Sequence, residues 1–487
     1  MNRRLLATSC IVLGLLAVSV TASAAELLVG TASVDITPAE PVAVSGQFHV
    51  RIARKVESPV TANVIALESR DGDRSLDTAI MVSCDLVSIR PEVLALVRQE
   101  VQKRLPAMDV TKIFLNATHT HTAPVTEVGK YPIPKEGVVQ PEAYQRFFAQ
   151  RVAEAIAQAW NARKPGSVSW GLSDALVAYN RRAVYADGHA QMYGATNLPT
   201  FQGLEGYEDH DINTLFFWDA AGQLTGVVVN VSCPSQEVES LSVVNADFWH
   251  PVREALRKQY GKQVCVVGWT GASGDQSPHL MYRKAADERM RQLRGLSRLD
   301  EIARRIVRAV DEAYSVVQND RHTGVPLVHK VETLQLPMRL VTEAEYAEAK
   351  GDCDKAEAQM KQDPKSADRV VRRMKWFEKT VQRFEHQKTD PKPTHEIEIH
   401  VLRLGDVAIC TNPFELFTDY GIRIKARSKA VQTFVIQLVG AGSYLPTEKA
   451  VRGGHYSAVV HSNLVGPEGG QMLVDRTVEL LDTLWPK

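Results

Sequence analysis

The chain carries no excess charge of either sign: Lys and Arg together number 57, and Asp and Glu together number 57. A surface built to track nucleic acid or an anionic membrane needs a basic surplus, and none is present. Cysteine is sparse. Beyond Cys10 there are Cys84, Cys233, Cys265, Cys353 and Cys410, an odd and scattered set that is no disulfide framework. Long apolar runs are missing after the first twenty residues, so nothing later in the sequence spans a bilayer. No Gly-Lys-Ser/Thr phosphate loop, no G-x-S-x-G nucleophile elbow and no internal repeat occurs. These absences exclude nucleotide-driven, serine-esterase and solenoid readings.

What is present begins with Arg3-Arg4, an apolar run from Leu5 to Val20, and Ala22-Ser23-Ala24-Ala25. That order of segments is a secretory signal peptide over residues 1–25, which predicts a secreted or periplasmic protein. Residues 26–487 are expected to form the catalytic region. Strand-like runs (Val60 to Leu67, Ala79 to Cys84, Ile113 to Asn116, Leu224 to Val231, Val264 to Trp269) alternate with helical periodicity (Pro91 to Leu105, Tyr144 to Trp160, Trp249 to Tyr260, Leu299 to Val317). The alternation predicts an α/β fold with mixed β-sheets flanked by helices. Thr342 to Lys388 is dense in Glu, Lys, Arg and Asp and is broken at Asp363-Pro364. It reads as an inserted helical hairpin, its charge a solvated face.

Polar clusters sit just past the ends of strands, where α/β folds build sites. His119 and His121 follow a strand; at i and i+2 in an extended chain their rings point to opposite sides, one free to bind a metal. Asn180-Arg181, Cys233-Pro234-Ser235-Gln236-Glu237 with His250 beyond, Asp275-Gln276-Ser277 and Pro413-Phe414-Glu415 form the others. Glu415 is expected to open a helix.

Taken in series, Thr118-His119-Thr120-His121-Thr122-Ala123-Pro124, Asn180-Arg181, Gly274-Asp275-Gln276-Ser277-Pro278, Pro413-Phe414-Glu415-Leu416-Phe417-Thr418 and Gly442-Ser443-Tyr444-Leu445-Pro446-Thr447-Glu448 resemble the T-H-T-H-S-G-P, N-R-S-P, G-D-x-S-P, P-G-E-F-T-T and A-G-Y-V-T-T-P-E segments of the neutral ceramidase family, in that family's order. The resemblance covers about Gly30 to Gly466 and stops before the family's C-terminal immunoglobulin-like domain. It implies a zinc-dependent amide hydrolase, with zinc held by His119, Glu415, Tyr444 and a second histidine. Where the family has that histidine this chain has Cys233, which either ligates as a thiolate or is a packed thiol, with His250 as the nearby substitute. It further implies His121 as proton donor to the leaving amine, Arg181 at the oxyanion, Ser277 at the water or carbonyl, and Asn180, Asp275 and Tyr456 around the substrate. A polar pocket lined by His121, Arg181, Ser277 and Tyr444 is expected, and the substrate is an N-acyl lipid or related N-acyl compound. The alternative is a lyase or esterase acting on uronic-acid-containing glycans.

Overall fold

The computed structural model describes residues 25–485; the predicted signal peptide, Ala25 apart, lies outside them. Eight strands form one mixed sheet. From one edge to the other they are Cys265–Thr270, Leu224–Val231, Asp211–Asp219, Lys164–Asp174, Glu26–Asp35, Thr61–Asp71, Arg74–Cys84 and Ile113–Ala117. A second sheet contains Leu327–Pro337, Thr394–Leu404, Val407–Thr411 and Gln432–Ile436. The mixed α/β class expected from the alternation of periods is the one observed.

Strand alternation places every second side chain on the same face. Ile65, Leu67, Phe114, Val228, Val267 and Trp269 of the large sheet meet Leu402, Leu404, Ile409, Phe434 and Ile436 of the small one in a buried layer between the sheets. The intervening residues Ala62, Val64 and Ala66 face helices α1 (Pro91–Arg104) and α2 (Pro141–Ala162). Val227, Val229 and Val231 face α3 (Trp249–Tyr260) and α5 (Arg298–Val317), which follows α4 (Lys284–Arg294). The result is helices, large sheet, small sheet, helices. Each layer buries the apolar face that its period exposes.

Within these two sheets three strand pairs are parallel: Arg74–Cys84 with Ile113–Ala117, Leu224–Val231 with Cys265–Thr270, and Val407–Thr411 with Gln432–Ile436. Parallel neighbours need a crossover, and α1, α3 and α8 (Thr418–Arg427) supply them. His119, Ser277, Glu415 and Tyr444 all lie in loops that leave the carboxyl ends of these strands.

The charged segment forms two helices, α6 (Glu343–Gln362) and α7 (Ala367–Gln387), inserted between Leu327–Pro337 and Thr394–Leu404. Leu404 pairs with Val407 and Val401 with Cys410, so the insertion leaves the small sheet at the end from which Glu415 also departs. It is therefore no mere solvated surface: Arg372, Trp376 and Lys379 line the cavity over Glu415. One expectation fails here in detail. Glu415 opens no helix; it pairs as a short strand with Tyr444, and α8 starts three residues later.

Candidate active site

His119 follows Ile113–Ala117 with φ at 67°. That left-handed residue breaks the extended geometry that would have sent the two histidines to opposite sides. Their rings instead converge, with centroids 4.8 Å apart and the two Nε2 atoms at 3.4 Å. His119 Nδ1 donates to the Val87 carbonyl at 2.6 Å, leaving a lone pair on Nε2. That Nε2 is 3.4 Å from Glu415 Oε2.

Gln236 settles the second ring. Its Oε1 accepts from Arg181 at 3.1 Å, so its amide N–H₂ faces His121 Nε2 and donates at 2.9 Å. His121 Nδ1 lies 3.2 Å from Glu239 Oε2. Burial brings the pKa of His121 down to about 4, with Glu239 only partly offsetting it, so the ring is neutral. The His121 lone pair is thus taken by Gln236, while the free lone pair of His119 faces the Glu415 carboxylate.

Tyr444 pairs in register with Glu415, and its phenol lies close enough to the carboxylate to help hold it charged. Burial and the adjacent Glu415 push its phenol well above the usual range. Burial opposes the charge on Glu415, but His119 and Arg181 outweigh it and keep it low. Arg181 is fully enclosed and donates to Tyr444 Oη at 3.3 Å, Tyr193 Oη at 3.2 Å and the Gly274 carbonyl at 2.9 Å. Tyr193 in turn donates to Ser277 Oγ at 3.0 Å.

His119, His121, Glu415, Tyr444 and Tyr456 border one cavity of about 470 Å³. Arg181 and Ser277 do not border it; they are buried behind Tyr444 and Tyr193, which corrects the expected lining. Asn180 and Asp275 also stand apart. Asn180 Nδ2 donates to Asp275 Oδ2 at 2.9 Å, and Asp275 Oδ1 accepts from Thr418 N and Oγ1, a latch between loops.

Cys233 is packed among Val231, Phe248 and Trp249, its thiol directed at the Val177 and Pro234 carbonyls at 3.6 Å. Burial pushes that thiol well up, as for an inert structural cysteine. His250 stands half-buried at the start of α3, beside Glu254 and Arg253, and does not border the cavity. Among the described residues no group of three His, Cys, Asp or Glu side chains is arranged to hold a metal ion, so neither residue completes a set with His119 and Glu415. A set of three needs the Tyr444 phenol. The donor chemistry still fits a cation: the His119 lone pair and the Glu415 carboxylate face each other at 3.4 Å beside the Tyr444 phenol, and three protein ligands suffice for a catalytic zinc. Glu239 and Tyr193 carry no sequence signature, and Gln236 is legible only as a member of the Cys233-to-Glu237 polar cluster; each acts through what the fold places beside it.

The fold is similar to that of neutral ceramidase from Pseudomonas aeruginosa, with a TM-score of 0.67 at 17% sequence identity over 95% of this chain and 76% of that one. It is also similar to a ceramidase complexed with C2, with a TM-score of 0.64 at 15% identity over 94% of this chain and 76% of that one. No family model and no curated protein matches the chain.

Proposed function

We propose that this chain is an exported, zinc-dependent hydrolase of amide bonds working on a ceramidase-like scaffold. The observation that carries the reading is the convergence of His119, Glu415 and Tyr444, drawn from loops about 300 residues apart, onto one cavity floor. Those three residues would hold the ion. What zinc supplies in such a site is Lewis acidity toward a carbonyl and a water whose pKa falls to roughly 7. Export is supported by the N-terminal segment, and no described helix is long and apolar enough to cross a membrane.

The remaining roles belong to the chain. His121 is neutral, and its Nε2, in exchange for the Gln236 hydrogen bond, would take a proton from the attacking water and pass it to the departing amine. Glu239, on the Nδ1 side, stabilises the imidazolium that forms. Burial opposes the charge on Glu239, but His121 and His279 outweigh it and hold it well below the carboxylate range. Tyr444 is oriented by Arg181, which donates to its phenol oxygen at 3.3 Å, so that the phenol reaches the cavity edge as one of the three groups that would hold the ion. Arg181 and Ser277 act through Tyr444 and Tyr193 rather than by touching substrate.

Metal analysis of the purified chain should find about one zinc per molecule, as a three-ligand catalytic site implies. Glu415→Gln should lose both the ion and the cleavage of N-acyl amides. A metal-free protein that cleaves N-acyl amides at full rate would overturn the proposal. The second reading, a lyase or esterase on uronic-acid glycans, is favoured by one feature, the cationic lining of the cavity. Release of unsaturated uronate from such glycans, with no amide cleavage, would establish it instead.

A further inference from the structure

The cavity over the His119–Glu415 cluster has a wall that the proposed chemistry does not use. It carries Arg90, Lys130, Arg372 and Lys379, against two carboxylates beyond Glu415, namely Glu92 and Glu127. Glu127 is shared: Lys130 lies 3.4 Å from it, Arg90 3.8 Å and Lys379 3.9 Å. Arg90 is also 3.8 Å from Glu92. These separations exceed the 2.7–2.9 Å or so of a tight charge-assisted pair. The four cations thus face the cavity with two loosely paired carboxylates among them.

Two of them stand out. Lys130 is largely enclosed, and its other polar contact is Ser45 Oγ at 3.3 Å. Burial, with Arg372 and Arg90 close by, brings its pKa down to about 8 even though Glu127 supports the charge. Arg372, on α7, forms no carboxylate ion pair among the described residues. Its guanidinium stands 5.4 Å from the Phe48 ring centroid, and its buried Nε has no hydrogen-bond partner. A partly buried guanidinium with an unused donor is a ready partner for an anion. Phe48, Trp376 and Tyr456 pack edge to face or tilted beside it, with centroids 5.6–5.8 Å apart, and Trp376 and Tyr456 border the cavity.

We infer that Arg372 of the inserted hairpin and Lys130 form an oxyanion subsite, so that the preferred substrate carries a carboxylate or sulfate group on the part lying along α7. The inference rests on the hydrolase reading for its substrate, but the subsite itself can be tested without turnover.

The test uses the full chain and three anilides whose acyl chains are of equal length and end in a carboxylate, a sulfonate or a neutral amide. The anion-ended substrates should have kcat/KM about tenfold or more above the neutral one, and Arg372→Gln should cut that ratio by a similar factor, as loss of a charge-assisted hydrogen bond implies. Whichever anion gives the larger ratio identifies the source. Lys355→Gln on α6, whose side chain is 81% exposed, should leave the ratio unchanged. Calorimetry with glutarate and with inorganic sulfate, on the wild type and on Arg372→Gln, is the second readout. If no anilide is cleaved but glutarate or sulfate binds, and Arg372→Gln weakens it about tenfold, the amide reading falls and the subsite stands. A kcat/KM ratio near one, or binding that is absent or indifferent to Arg372, overturns the subsite.

Discussion

At the scale of single residues, the site depends on backbone conformations that side-chain identity does not advertise. His119 has a φ of 67°, a region that costs a non-glycine residue about 1–3 kcal/mol unless its surroundings hold it. They do hold it here: His119 N donates to the Leu86 carbonyl and Nδ1 to that of Val87. Gly46 plays the complementary part. Its φ is 104°, and a Cβ placed there would lie 2.3 Å from His121 Cγ. Gly46→Ala should therefore destabilise the chain by about 1–3 kcal/mol and displace the His121 ring. A fall in kcat larger than the loss of folded protein explains is expected, with thermal melting as the control. Wild-type kcat and melting temperature would show that the loop yields freely.

At the scale of elements, the loop that carries both histidines is tied to two strands and a helix through one buried carboxylate. Asp85, directly after Arg74–Cys84, accepts from both terminal nitrogens of Arg253 on α3 at 2.7 and 2.9 Å. It also accepts from Thr61 N at 2.8 Å and from Thr118 Oγ1 at 3.2 Å. Thr118 immediately precedes His119, so the pair sets the exit of the catalytic loop. Removing one member of a buried pair strands the other charge, at a cost of about 3–5 kcal/mol. Asp85→Ala should lose that much in urea unfolding, and adding Arg253→Met should recover a large part of it. Equal losses in the single and double variants would mean that the pair's charge is not what matters.

At the scale of the whole molecule, the balanced charge conceals concentrated networks that link the layers. Burial opposes the charge on Glu301, yet Arg304 and Arg305 hold its carboxyl down to about 2. Burial likewise opposes Glu398, and His400 with Arg98 brings it down to about 2. Arg98 is on α1 and Glu398 on the small sheet, so this pair joins the outer helical layer to the sheet beyond. A carboxylate whose folded pKa is depressed contributes stability that is present above its unfolded pKa and lost as pH falls through the folded one. Unfolding free energy should thus decline between about pH 4.5 and pH 2, and Glu301→Gln should flatten that slope while lowering stability at neutral pH. An unaltered slope in equilibrium unfolding of Glu301→Gln would assign acid sensitivity elsewhere.

Sequence period determined the elements. Trp249 to Tyr260 and Leu224 to Val231 span the residues expected of them, and α6 and α7 are separated at the Asp363-Pro364 break, because local periodicity and proline act over a few residues. The motifs at strand ends were legible for the same reason, since a polar cluster after a buried strand marks a loop. What needed the tertiary structure is everything decided by convergence. A left-handed His119 turned two divergent rings into a facing pair. The orientation of the Gln236 amide follows from Arg181, which lies 55 positions away. Cys233, in the place of a ligand by sequence, faces an apolar core because the chain after Leu224–Val231 folds its side chain toward Phe248 and Trp249. The charged hairpin looked like a solvated surface because its composition is that of one. Its second helix, α7, lines the cavity because antiparallel pairing in the small sheet puts its insertion point and Glu415 at the same end, a relation between strands that no local stretch of sequence encodes.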